Sequence, residues 1–181
     1  MMRSSISRAG LRAAAAAATL VIVAHAAETL RISPVVAGNR VLVTFELADA
    51  YTDSVRQAIS SGLRTTFTYQ LELRTVATIW MDRTIATAIV TASDQFDNLT
   101  RRHTLTRTVD GRVEDTLVSD DENVVRRWLT MWKALPLCET AKLDPSRDYY
   151  VRISARARPS GESLLGLAKT ISGQAKFRFG R

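Results

Sequence analysis

Apolar side chains recur at every second position in several stretches of this 181-residue chain. In LRTTFTYQLELR, residues 63–74, Leu63, Phe67, Tyr69, Leu71 and Leu73 share one parity, and Arg64, Thr66, Thr68, Gln70, Glu72 and Arg74 share the other. A period of two marks a strand with one buried and one wet face, which suits antiparallel sheets better than parallel ones covered on both sides. Val41, Val43, Phe45 and Leu47 repeat the pattern. So does YYVRISARARP at 149–159, where Tyr149, Val151, Ile153, Ala155 and Ala157 alternate with Tyr150, Arg152, Ser154, Arg156 and Arg158. Ala175, Phe177 and Phe179 against Lys176 and Arg178 predict a last strand. A first one is predicted at 30–36, where Pro34, which has no N–H to donate, confines it to an edge.

Turn residues join these runs. Asp110-Gly111, between Val109 and Val113, readily takes the positive backbone dihedrals of a two-residue hairpin. Asp97-Asn98 bonds back to its own backbone and predicts a turn between a strand at 85–92 and one starting at Arg102.

Two segments break the alternation. In DAYTDSVRQAISSG, residues 49–62, Val55, Ala58 and Ile59 have helical spacing, Asp49 or Thr52 can cap the start, and Gly62 can end it. In SDDENVVRRWLTMWKALP, residues 119–136, Ser119 and Glu122 have capping-box spacing. Asp120 and Asp121 complement the positive end of the helix dipole, Lys133 the negative end, and Pro136 stops the helix. Val124, Val125, Trp128, Leu129, Trp132 and Leu135 then form one apolar stripe to lie on the sheet. The pattern as a whole predicts a mainly β (α+β) fold, an antiparallel β-sandwich or incomplete barrel with two packed α-helices.

The N-terminus has a different character. Arg3, Arg8 and Arg12 precede an apolar run over 13–23 and then Ala24-His25-Ala26, the three parts of a secretory signal peptide. The run is shorter than the roughly 20 residues a membrane span needs, and no other segment approaches that length. The expectation is a signal peptide over 1–26, cleaved after Ala26 (retention as an anchor being the alternative), and one domain over 27–181. Loss of three arginines and no acidic residue lowers the formal charge of +7 to +4. The remaining domain is mildly basic, which favours anionic surfaces without naming one.

Candidate chemistry is sparse. Cys138 is the single cysteine, so no internal disulfide forms, and between Leu137 and Glu139 it reads as a small buried hydrophobe. His103 is the sole histidine after the leader. Zinc sites combine several Cys and His ligands, and no Gly-x-Ser-x-Gly elbow surrounds any serine, so neither a metal nor a cofactor is expected, and His103 reads as a strand residue facing solvent or a neighbouring carboxylate. Asp82, Asp94 and Asp97 lack the glycine and terminal glutamate of a calcium loop. Trp80 falls where alternation lapses, as a core plug or as an aromatic presented to a partner.

SGLRTTFTYQLELR at 61–74, W-x-D-R-T-I-A at 80–86, DNLTRRHTLTR at 97–107, RRWLTMWKALPL at 126–137 and YYVRISARARP together resemble the bacterial exported family known as domain of unknown function DUF4390. The resemblance implies an envelope protein and supplies no catalytic residues.

If Val151 and Ile153 point inward, Arg152, Arg156 and Arg158 must face water, since unpaired buried charge is costly. Lys176 and Arg178 extend that row if the last strand lies alongside. Such a row either protects a sheet edge or binds an anion. The expected function is a non-enzymatic envelope module binding an envelope protein or an anionic lipid head group, not nucleic acid, through Arg152, Arg156, Arg158, Trp80, Arg101 and Arg102. The alternative is a carrier of a small apolar or lipid ligand between the sheets, suggested by small inward residues such as Ala86, Ala88, Ala155 and Ala157. A hydrolase using His103 ranks last.

Overall fold

The computed structural model describes residues 30–76, 82–159 and 170–178. Expectations for the leader, Trp80 and Phe179 lie outside these residues. Strands β1 (Leu30–Ala37) and β2 (Arg40–Leu47) precede helix α1 (Asp53–Ser60). Strands β3 (Thr65–Thr75), β4 (Arg83–Asp97), β5 (Arg102–Val109) and β6 (Arg112–Ser119) follow. Helix α2 (Glu122–Thr130) then runs into β7 (Met131–Glu139), a short 3-10 turn (Thr140–Lys142), β8 (Asp148–Pro159) and β9 (Ile171–Arg178).

Two antiparallel sheets result, ordered β1-β2-β7 and β6-β5-β4-β3-β8-β9. The small sheet and both helices cover one face of the large one. Along β3 the alternation is realised in full: Phe67, Tyr69, Leu71 and Leu73 are wholly buried, against Val41, Val43 and Phe45 of β2 and Val151 and Ile153 of β8. β1 is an edge strand, paired only with β2, so Pro34 leaves no gap inside a sheet. Leu30 and Ile32 of β1 pack over Gly173 of β9, where an added Cβ would lie 3.3 Å from Leu30. The sheets therefore meet at this seam as a sandwich, without closing into a barrel.

The turns follow their residues. Asp110 (φ 48°) and Gly111 (φ 80°) are both left-handed, as a two-residue hairpin requires. Thr52, not Asp49, caps α1 by accepting from the Val55 N–H, and Gly62 (φ 81°) ends it.

α2 departs from the sequence reading. Its N-cap is Asp121, whose carboxylate accepts from the Asn123 N–H, while the Ser119 hydroxyl accepts from the Asp121 N–H; the Ser119–Glu122 capping box does not form. The helix stops at Thr130, and Trp132 and Leu135, expected on its stripe, lie in β7 paired with Phe45 and Val43 of β2. The cause is tertiary: β2 would otherwise present an open edge, and Pro136 disfavours helix at the preceding residue yet is tolerated on an edge strand. Arg107 of β5 locks the junction. It shares the inward parity with Leu105, stacks between Trp128 (4.4 Å) and Trp132 (4.6 Å), and donates to the carbonyls of Trp128 and Met131.

Three smaller expectations shift. Leu63 precedes β3 and is exposed. Cys138 is half-buried rather than buried. Tyr150, on the wet parity of β8, is buried and donates its hydroxyl to Asp82 at 2.7 Å.

Candidate functional site

Two regions carry polar side chains in arrangements that could engage a ligand. The first is the outer face of the large sheet. Strands β8 and β9 pair with Arg152 opposite Gln174 and Tyr150 opposite Lys176, so Lys176 lies diagonally from Arg152, about 7–8 Å away at the usual spacing of such neighbours. Arg156 is four residues along β8, about 13 Å at the usual strand rise. Arg152, Arg156 and Lys176 are exposed. Arg156 donates to the Thr170 hydroxyl at 2.9 Å. Arg178 ends the row in a two-bond ion pair with Asp148, which holds that carboxyl below its usual range. Glu72, opposite Arg152 on β3, is the nearest acidic residue by register and itself pairs with Arg74 at 3.8 Å. Arg158 pairs through its backbone with Thr66, and its side chain is not among those described.

Arg152, Arg156 and Lys176 therefore share one exposed surface, which does not include Arg101 and Arg102. By register Arg152 lies beside Glu72 and Glu72 beside Thr87, while Arg102 pairs with Asp97 at the far end of β4. Ten residues of strand between Thr87 and Asp97 put them about 33 Å apart.

Arg101 lines the second region, a cleft of about 460 Å³ bounded by α1, the β4–β5 turn and the start of α2. His103 stands in its wall. The ring Nδ1 lies 2.8 Å from Oδ2 of Asp94, which is wholly buried, and the ring packs on Phe96 with centroids 4.6 Å apart. Asp94 Oδ1 has no hydrogen-bond partner among the described residues. Burial pushes the Asp94 carboxyl above its ordinary value of 3.8, and the His103 hydrogen bond opposes the shift. Tyr51, which also lines the cleft, is pushed up to about 12 by burial and by the charges of Glu122 and Asp94.

A raised carboxyl pKa means that the folded state holds its proton more tightly than the unfolded chain. The stability this contributes is complete below 3.8 and is lost as pH rises through the folded value. Asp94→Asn, which cannot titrate, is therefore expected to gain stability relative to the natural protein as pH rises from about 4, in thermal melts taken at matched pH.

Asp82, Asp94 and Asp97 do not converge. Asp82 sits by Tyr150, while Asp97 caps its own turn by accepting from the Leu99 and Thr100 N–H groups. The Cys138 thiol is pushed up by burial, the opposite of an activated nucleophile. Ser60 borders the same cleft as His103, but its hydroxyl donates to the Arg56 and Gln57 carbonyls. The space beside Ala155 and Ala157 at the end of the sandwich holds about 130 Å³, below the 300–1,000 Å³ of ordinary small-molecule sites.

A family model described as a domain of unknown function, DUF4390, matches residues 24–161. The chain belongs to DUF4390. No curated protein and no solved structure matches it. No helix among the described residues of this DUF4390 chain is long and apolar enough to cross a membrane.

A carboxylate beside His103 was one of two surroundings expected from the sequence, but Asp94 was not singled out, although a signal for it exists. Once the turn at 97–101 fixes Asp97 opposite Arg102, Phe96 falls opposite His103 and Asp94 opposite Leu105, which places Asp94 and His103 diagonally on one face.

Proposed function

We propose that this DUF4390 protein is an exported, non-enzymatic envelope module that binds an anionic partner through the outer face of β8 and β9. The observation that supports this reading is the exposure of Arg152, Arg156 and Lys176 on one surface whose nearest carboxylates are already engaged, Asp148 with Arg178 and Glu72 with Arg74. Guanidinium groups suit phosphate and carboxylate partners because their fork matches two oxygens at once. An anionic lipid head group or an acidic surface of an envelope protein has this chemistry. The mild net charge fits a local contact rather than a long-range field.

The test is a combined Arg152→Glu, Arg156→Glu and Lys176→Glu variant. All three positions are exposed, so the fold tolerates the change. Each basic residue near an anionic membrane contributes about 1 kcal/mol, and flotation with vesicles containing phosphatidylglycerol is expected to fall at least tenfold. Capture of an envelope protein partner by pull-down is expected to fall likewise. Unchanged association in both assays rejects the basic face. Export is tested separately: N-terminal sequencing of the protein from the envelope fraction is expected to begin at Ala27.

A further inference from the structure

The cleft beside His103 divides its charges by origin. Arg101 and His103 come from the β4–β5 turn and the start of β5, while Asp120 and Glu122 come from the start of α2. Tyr51, Ile59 and Phe96 supply apolar and aromatic surface between them. Arg56 is occupied twice, by Asp53 at 3.0 Å and Glu122 at 2.6 Å. That leaves Arg101, the outer nitrogen of His103 and Asp120, which follows Ser119, the cross-strand partner of His103, none with an ion pair among the described residues apart from the His103–Asp94 contact.

We propose that this cleft binds a small zwitterion with an apolar side group, of the α-amino acid class, its carboxylate against Arg101 and His103 and its ammonium against Asp120. Three observations carry this. The volume of about 460 Å³ lies within the range of small-molecule sites. Asp94, wholly buried, bonds Nδ1 of His103 and so orients the ring, leaving Nε2 without a hydrogen-bond partner among the described residues. Such a buried carboxylate behind an imidazole fixes the orientation of the ring and leaves its other nitrogen available to a ligand. Arg101 occupies a left-handed backbone (φ 59°) that an arginine rarely adopts, with its guanidinium 5.7 Å from the centre of the Phe96 ring. Neighbouring charges of opposite sign match a ligand that carries both signs a few ångströms apart, and a site with both signs rejects a ligand that carries only one.

The test uses the full chain and three probes, L-phenylalanine, N-acetyl-L-phenylalanine and L-phenylalaninamide, followed by titration calorimetry and by the NMR signal of the His103 ring. L-phenylalanine is expected to bind saturably and to shift the His103 resonance, and each blocked form to bind at least tenfold more weakly. Arg101→Gly, which relieves the left-handed backbone, is expected to keep or raise the melting temperature while weakening L-phenylalanine at least tenfold. Asp120→Asn is expected to weaken L-phenylalanine and leave the N-acetyl form unchanged. Absence of saturable binding, equal binding of all three probes, or full binding by Arg101→Gly overturns the proposal. These outcomes are independent of the basic face, which none of the variants touches.

Discussion

Arg107→Ala is expected to destabilise the protein by about 4 kcal/mol, combining two charge-assisted hydrogen bonds at roughly 1.5–3 kcal/mol each with partial compensation by water and a stacking contribution of about 1 kcal/mol. The guanidinium lies between Trp128 and Trp132 and donates to the carbonyls of Trp128 and Met131. Both carbonyls sit where the α2 ladder ends, so removal of the donor leaves acceptors with no intrahelical partner. Burial presses against the charge of Arg107, and one nitrogen, Nε, lacks a partner among the described residues. The favourable geometry therefore already offsets a desolvation cost, and that cost disappears with the side chain. Arg107→Lys is expected to recover less than half of the loss, because an ammonium on a flexible stem cannot stack flat on two indoles and loses more side-chain freedom for each hydrogen bond it forms. Urea unfolding followed by tryptophan fluorescence reads both variants. A loss under 1 kcal/mol for Arg107→Ala contradicts a clamp at this point.

Trp132→Ala is expected to cost about 3–5 kcal/mol, the usual range for removing a buried aromatic side chain. The residue is 4 % exposed, stacks 6.4 Å from Phe45, and forms one wall of the Arg107 slot. Its indole N–H has no hydrogen-bond partner among the described residues, so Trp132→Phe loses volume and stacking area but no hydrogen bond, and is expected to cost less than half as much. Because Trp132 and Arg107 touch, their losses do not add. The Arg107→Ala, Trp132→Ala double variant is expected to fall short of the sum by about 1–2 kcal/mol, the coupling typical of residues in direct contact. Denaturation midpoints of the four proteins in this cycle measure it.

These two residues also mark where the sequence could and could not be read. β3 was legible because every second residue from Phe67 to Leu73 is apolar and the structure buries each of them. β8 was legible for the same reason, and its pairing with β9 assembled the row of Arg152, Arg156 and Lys176. The end of α2 was not legible. Val125, Leu129 and Trp132 keep helical spacing, but local periodicity cannot register that β2 lacks a neighbour on one side, and pairing with β2 decided the conformation of 131–139. Arg107 carried a signal that went unused: a lone cation on the parity of Leu105 and Val109 has to find a partner inside. The Asp94–His103 pair needed the register of a hairpin, which follows from the Asp97 turn only after its length is fixed.

The direct passage from Thr130 to Met131 has a mechanical consequence. A lid swings on a hinge, and a hinge needs residues free to change their backbone angles. Here the last helical residue adjoins the first strand residue, and a single guanidinium grips both sides of the joint. The joint has no slack at the C-terminal end of α2, so a swing of the helix about that end is resisted. The cleft already opens to solvent between exposed residues such as Arg101 and Asp120, so a ligand enters it without a lid.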